Sequence, residues 1–181
     1  AAPDAFGKLS QGITTEVSGN CGLSCFPITD LNREHLKQLY AVYDIELSWS
    51  SLREYTAELL RRQPSVNILP LCGFNTLRAA AAGYEKNAPS PQLTSKIGQM
   101  LRTTLQEGAG GLSSGLIYIP GKFADTGEVT EVLRVLREFE RPYTTHLRSE
   151  GPRLLEAIRE AIECSIAAGI PKLHISHFKT S

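Results

Sequence analysis

Short runs of β-forming residues alternate with helical patterns five times along this 181-residue chain, and that alternation limits the fold more than any other feature. The runs are Ile13–Asn20, Val66–Gly73, Leu112–Tyr118, Pro142–Leu147 and Lys172–His177. Between them, helical spacing predicts helices over Asn32–Leu39, Ser50–Arg62, Leu77–Tyr84, Gln92–Glu107, Glu128–Glu140 and Pro152–Ala168. Ser50 or Ser51 can cap the second of these, and Pro64 ends it. Gly108 to Gly111 stops the fourth, and Gly169-Ile170-Pro171 forms the last turn. Strands joined by helices, with short connectors and no hairpin signal, require a parallel sheet or barrel of the α/β class.

Composition narrows the function classes. Nineteen basic residues balance nineteen acidic ones, which gives no reason to expect nucleic acid or an anionic membrane as partner. No apolar run approaches the ~20 residues of a membrane span. Four cysteines, Cys21, Cys25, Cys72 and Cys164, are too scattered for a disulfide framework, so a reducing cytoplasm is the expected compartment. The glycine cluster Gly108-x-Gly110-Gly111 precedes its strand, whereas a dinucleotide fingerprint follows one, and no phosphate-loop lysine accompanies it.

Chemistry in parallel α/β proteins collects at the C-terminal ends of strands. His146 lies there in Tyr143-Thr144-Thr145-His146-Leu147-Arg148-Ser149-Glu150, together with Arg148. Cys21 occupies the equivalent place in Gly19-Asn20-Cys21-Gly22, and His177 ends the last run. Residues three apart on a strand face opposite ways, so His174 is expected to be a packed core residue and His177 a ligand. Lys179 shares the face of His177 if the strand persists that far. His35 falls on an exposed helix, and Cys25, Cys72 and Cys164 read as small core residues. Cys21, His146 and His177, each at the end of a different strand, form the expected metal set.

At these residues the chain resembles the N-acyl-D-amino-acid deacylases (D-aminoacylases) of the amidohydrolase superfamily. The resemblance rests on Gln11–Gly22, Gly110–Gly121, Tyr143–Glu150 and Ile175–Lys179, in family order across nearly the whole chain. It implies a partial (β/α)8 TIM barrel of about strands two to six, with residues 1–181 as one piece of it. The family's small β-domain and flanking strands would be absent. It also implies one or two Zn2+ ions held by Cys21, His146 and His177, with the cysteine replacing the bridging carboxylated lysine of other amidohydrolases. That lysine is missing from the predicted fourth strand, which argues against a dihydroorotase-like or hydantoinase-like enzyme. Tyr118 and Lys179 match positions that grip the carboxylate of a small N-acyl amino acid. The implied reaction is hydrolysis of its amide bond. The family's first-strand histidine pair would precede Ala1, and its general acid/base aspartate would lie beyond Ser181, so the piece alone is expected to be inactive. Phe74 stands where the family often has histidine. Exposed sheet edges suggest self-association.

Overall fold

The computed structural model describes residues 4–170 and 172–179. The strands are β1 (Thr15–Ser18), β2 (Asn67–Pro70), β3 (Cys72–Gly73), β4 (Leu112–Gly115), β5 (Tyr143–His146) and β6 (Leu173–Ile175). The helices are α1 (Phe6–Leu9), α2 (Arg33–Ala41), α3 (Leu52–Arg62), α4 (Phe74–Ala82), α5 (Pro91–Gln106), α6 (Thr126–Phe139) and α7 (Leu154–Ala168). Every strand pairing is parallel, and neighbours in the sheet are neighbours in sequence. The result is a partial barrel whose described strands form a two-stranded sheet, β1–β2, and a four-stranded sheet, β3–β4–β5–β6.

The single strand expected over Val66–Gly73 is divided at Leu71, because Pro70 has no N–H to give to a ladder. Its two parts face different neighbours: β2 pairs with β1, and β3 pairs with β4. The break is bridged, since Leu71 donates to Ser18 O at 2.8 Å and Gly110 donates to Pro70 O at 2.9 Å. The helix expected from Leu77 instead begins at Phe74, directly after β3, and its residues Phe74 to Ala81 are all buried. The turn at Gly169 matches the sequence pattern, with Gly169 in the left-handed conformation that ends α7, although Pro171 lies outside the described residues.

The main core joins α4, α5 and α6 to the sheet through Leu77, Ile97, Leu101, Leu112, Leu133, Leu136 and Tyr143. Leu93, Ile97, Met100, Leu101 and Leu105 recur along one stripe of α5, and that stripe faces the core. A second cluster around Ile28, Leu36 and Trp49 packs α2 against the loops on either side of it. Cys72 and Cys164 are buried, as the sequence suggests; Cys25 is half-buried and donates to the Tyr40 hydroxyl. His174 departs from expectation. It lies exposed on β6, because β6 has a strand on only one side among the described residues and nothing covers that flank. A hollow of about 550 Å3 opens between α1, α3 and the β1–β2 pair, away from the residues expected to carry chemistry.

Among the described residues no helix is long and apolar enough to cross a membrane.

Candidate metal centre

The loop after β1 carries Cys21 across the top of the sheet. Three departures into left-handed backbone within four residues bend it: Gly19 (φ 81°), Cys21 (φ 55°) and Gly22 (φ 79°). Glycine adopts that region freely, whereas cysteine does so only under constraint. The constraint is visible. Gly22 N donates to Ser113 Oγ on β4 at 3.0 Å, and Ser113 Oγ in turn donates to Gly19 O. Thr144 on β5 donates to Asn20 Oδ1 at 3.3 Å, and Thr76 N donates to Gly22 O at 3.2 Å. A side chain on Gly22 would collide with Asn75 and with the backbone of Gly115.

Asn75 fixes the opposite wall. Buried on α4, it accepts from Gly115 N at 3.1 Å and donates to Gly115 O at 3.0 Å and Tyr118 O at 3.2 Å. These bonds hold the turn after β4 that presents Tyr118. The predicted strand ended at Tyr118; the observed one ends at Gly115, so Tyr118 sits on a turn that Asn75 anchors.

The expected ligands meet. One ligand atom from each of Cys21, His146 and His177 lies within 4.8 Å of the others, although Cys21 and His177 are 156 residues apart in sequence. Cys21 Sγ and His177 Nε2 are 3.4 Å apart. That is the spacing of two ligands on one tetrahedral ion with bonds of ~2.0–2.3 Å. The His146 and His177 rings meet edge to face, with centroids 4.3 Å apart, and Tyr118 packs against His146 from the other side at 4.8 Å. The Tyr118 hydroxyl lies 3.4 Å from His146 Nδ1.

Lys179 also arrives at the site, but not by the route expected. β6 ends at Ile175 and His177 takes a left-handed turn (φ 35°), so no strand face links Lys179 to His177. Instead Lys179 Nζ approaches Glu150 Oε2 at 3.7 Å, with its side chain mostly exposed. Arg148 leaves the site altogether. Its guanidinium grips Glu160 on α7 at 2.9 Å and donates to Lys122 O and Ala124 O, which pins the loop after β5.

The group that sequence reasoning missed is Glu150. Its Oε1 lies 3.0 Å from His177 Nδ1 and 3.4 Å from His146 Nε2. It stands four residues beyond His146, in a polar stretch that reads as an ordinary loop before a helix. The signal that was available is the carboxylate close behind a strand-ending histidine.

The electrostatics follow from burial first. Burial, reinforced by the Glu150 charge, pushes the Cys21 thiol above its ordinary range. Burial pulls the His146 imidazole below its ordinary range; Glu150 opposes this, while His177 and Lys179 add to it. Burial, then the charges of Cys21 and Glu150, raises the Tyr118 phenol. His146 Nε2 is buried and, though near Glu150, is not aligned for a hydrogen bond. A thiol and an imidazole whose charged forms burial disfavours, brought together with His177, suit a cation that would displace the thiol proton and take up the imidazole lone pairs. Sulfur with two imidazoles is a donor set suited to zinc or copper.

The chain matches known proteins throughout its length. An N-acyl-D-aspartate deacylase of Alcaligenes xylosoxydans xylosoxydans is 35% identical over 164 residues, covering 90% of this chain and 32% of the relative. A D-aminoacylase of the same organism is 32% identical over 177 residues, covering 95% of this chain and 35% of the relative. Among solved structures, a D-aminoacylase mutant in complex with CuCl2 superposes with a TM-score of 0.84 at 32% identity, covering 98% of this chain and 37% of that one. An N-acyl-D-glutamate deacylase from Bordetella bronchiseptica superposes with a TM-score of 0.82 at 32% identity, covering 94% of this chain and 35% of that one. That protein is complexed with zinc and a phosphonate inhibitor that mimics the reaction's tetrahedral intermediate. No family model matches the chain. The chain spans about a third of the length of the curated relatives it matches.

Proposed function

Because this chain is homologous to the N-acyl-D-amino-acid deacylases, amidohydrolases acting on amide bonds, over one continuous segment, we propose that it forms part of a zinc enzyme that hydrolyses N-acyl-D-amino acids to a free D-amino acid and a carboxylate. The observation that carries this reading is the convergence of Cys21, His146 and His177 from three separate strand ends. These three side chains would hold the ion, one or two being bound in the working enzyme. When bound, zinc polarises an amide carbonyl and lowers the pKa of water toward ~7.

The chain's own residues account for binding. The Lys179 ammonium is exposed and only loosely held at 3.7 Å from Glu150, so it is free to turn to the carboxylate of a small N-acyl amino acid. The Tyr118 hydroxyl, at the lip of the site, is the second carboxylate contact. The general acid/base aspartate belongs beyond Ser181. Residues 1–181 then constitute one piece of a single barrel, about strands two to six. The outer edges of β1 and β6 carry no strand partner among the described residues. They would be completed by flanking strands, or by another copy of the chain where those are absent. A thiolate ligand at Cys21 suits a reducing cytoplasm, and all four cysteines are free.

The test is an assay of the complete protein, zinc-loaded, against paired N-acyl-D- and N-acyl-L-amino acids. Zinc-dependent hydrolysis of the D form alone is the expected result. Equal turnover of both enantiomers, or none of either, overturns the reading.

A further inference from the structure

The two histidines of the centre share one carboxylate, and that sharing decides which nitrogen each one offers. A neutral imidazole has one N–H and one lone pair, and an acceptor placed at one nitrogen leaves the lone pair on the other. Glu150 Oε1 lies 3.0 Å from His177 Nδ1. A proton held there leaves the lone pair on Nε2, the atom 3.4 Å from Cys21 Sγ. The same oxygen lies 3.4 Å from His146 Nε2. A proton held there leaves the lone pair on Nδ1, which faces the Tyr118 hydroxyl at 3.4 Å. The second oxygen, Oε2, faces Lys179 Nζ at 3.7 Å. Glu150 itself is mostly buried, with its side chain 14% exposed, and it contacts no other cation closely enough for an ion pair among the described residues.

Carboxylates that accept the outer N–H of a ligating histidine orient the ring and raise its basicity. Here one carboxylate faces two rings at once. We infer that Glu150 is the positioning residue of the metal centre, its Oε1 holding the His177 Nδ1–H and the His146 Nε2–H so that Nε2 of His177 and Nδ1 of His146 turn inward beside the Cys21 sulfur. This inference rests on the metal centre proposed above. It adds that the poorly aligned His146 Nε2 closes onto Glu150 when the ring is drawn toward an ion. It also places Glu150 in contact with both histidine ligands and the lysine proposed to bind substrate.

The experiment is a competitive zinc titration of the complete protein, run beside histidine 15N spectra that report which ring nitrogen carries hydrogen. Glu150→Ala should weaken zinc binding 10–100-fold, the usual cost of losing an outer-shell partner, with the isosteric Glu150→Gln falling between it and the parent protein. Without metal, the parent should show hydrogen on Nδ1 of His177 and on Nε2 of His146. Both signals should shift toward mixed tautomers in Glu150→Ala. Unchanged zinc affinity with unchanged tautomers in both variants overturns the inference, and so does a parent protein showing the opposite tautomers. Cys21→Ser separates the two claims. If it abolishes zinc binding while the Glu150 variants leave zinc affinity and tautomers unchanged, the metal centre stands and the positioning role fails; if the parent binds no zinc, the centre itself fails. Should Glu150→Ala not fold, Glu150→Gln alone carries the test.

Discussion

Two glutamates in this chain each face nitrogen-bearing side chains, and they do opposite work. Glu128 on α6 is fully buried against a fully buried Arg78, with Oε1 2.8 Å from Nε and Oε2 3.4 Å from Nη2. Arg78 spends Nη2 again on Asn87 O at 2.7 Å, so the pair ties α4 and α6 to the loop before α5. Only Nη1 is left without a partner. Glu150 instead sits at the mouth of the sheet, 3.0 Å from His177 but 3.4 Å from His146 and 3.7 Å from Lys179. One carboxylate is consumed by the fold; the other faces the proposed metal centre. The first is held by a fully buried guanidinium, the second by His177 and Lys179, which are partly exposed, beside a buried His146.

The largest effect is expected at the buried pair. Glu128→Gln leaves the Arg78 charge uncompensated in the core and should cost about 3–5 kcal/mol, a fall in melting temperature on the order of 10 °C for a chain of this size. Arg78→Met combined with Glu128→Leu should recover most of that loss in thermal or urea unfolding. A double variant no better than the single would show that the charges themselves, not their mutual neutralisation, hold α4 to α6.

An exposed carboxylate supplies a third point on the scale. Ser51 and Glu54 form a reciprocal capping box at the start of α3. Ser51→Ala should cost about 1 kcal/mol, read from the shift in urea midpoint at constant slope. Hydrogen bonds from Ser50 N and Ser51 N hold the Glu54 carboxyl below its ordinary value. A carboxyl so depressed stabilises the fold fully above its unfolded pKa and loses that contribution as pH falls through its folded one. Acidification below about pH 4.5 should therefore erode stability less in Glu54→Gln than in the parent chain, measured by melting temperature across pH 3–6.

The smallest effect should fall on Glu150. In the metal-free protein Glu150→Ala should change unfolding free energy by about 1 kcal/mol or less, because the partners His177 and Lys179 are themselves open to water. A loss as large as that of Glu128→Gln would mean that Glu150 is architecture after all.

How much of this was readable in the sequence depends on whether a property is local. Strand and helix alternation is local, and the barrel arc and its strand order follow from it. The ends of elements are less so. The split at Pro70 was foreshadowed by the missing donor, but the early start of α4 was not, because Asn75 and Thr76 are drawn into the helix by bonds to distant loops. His174 is exposed for a similar reason: a mid-strand position predicts burial only when both flanks of the sheet are covered. Cys21, His146 and His177 were legible as strand-end residues of the right chemistry. The path of Lys179 and the place of Glu150 were not, since both depend on turns whose direction no periodicity encodes.

The left-handed backbone at Cys21 and His177 has an evolutionary consequence. Non-glycine residues in that region cost roughly 1–2 kcal/mol each, and Cys21 is flanked by two glycines already in it. Cys21→Gly would relax the loop and stabilise the chain while erasing the sulfur. Selection for stability alone would therefore drift this position toward glycine, and a cysteine there is kept against that gradient only while the thiol is used. Position 21 is thus a reporter of purifying selection: among related chains, glycine in its place would mark those that have abandoned the chemistry but kept the barrel.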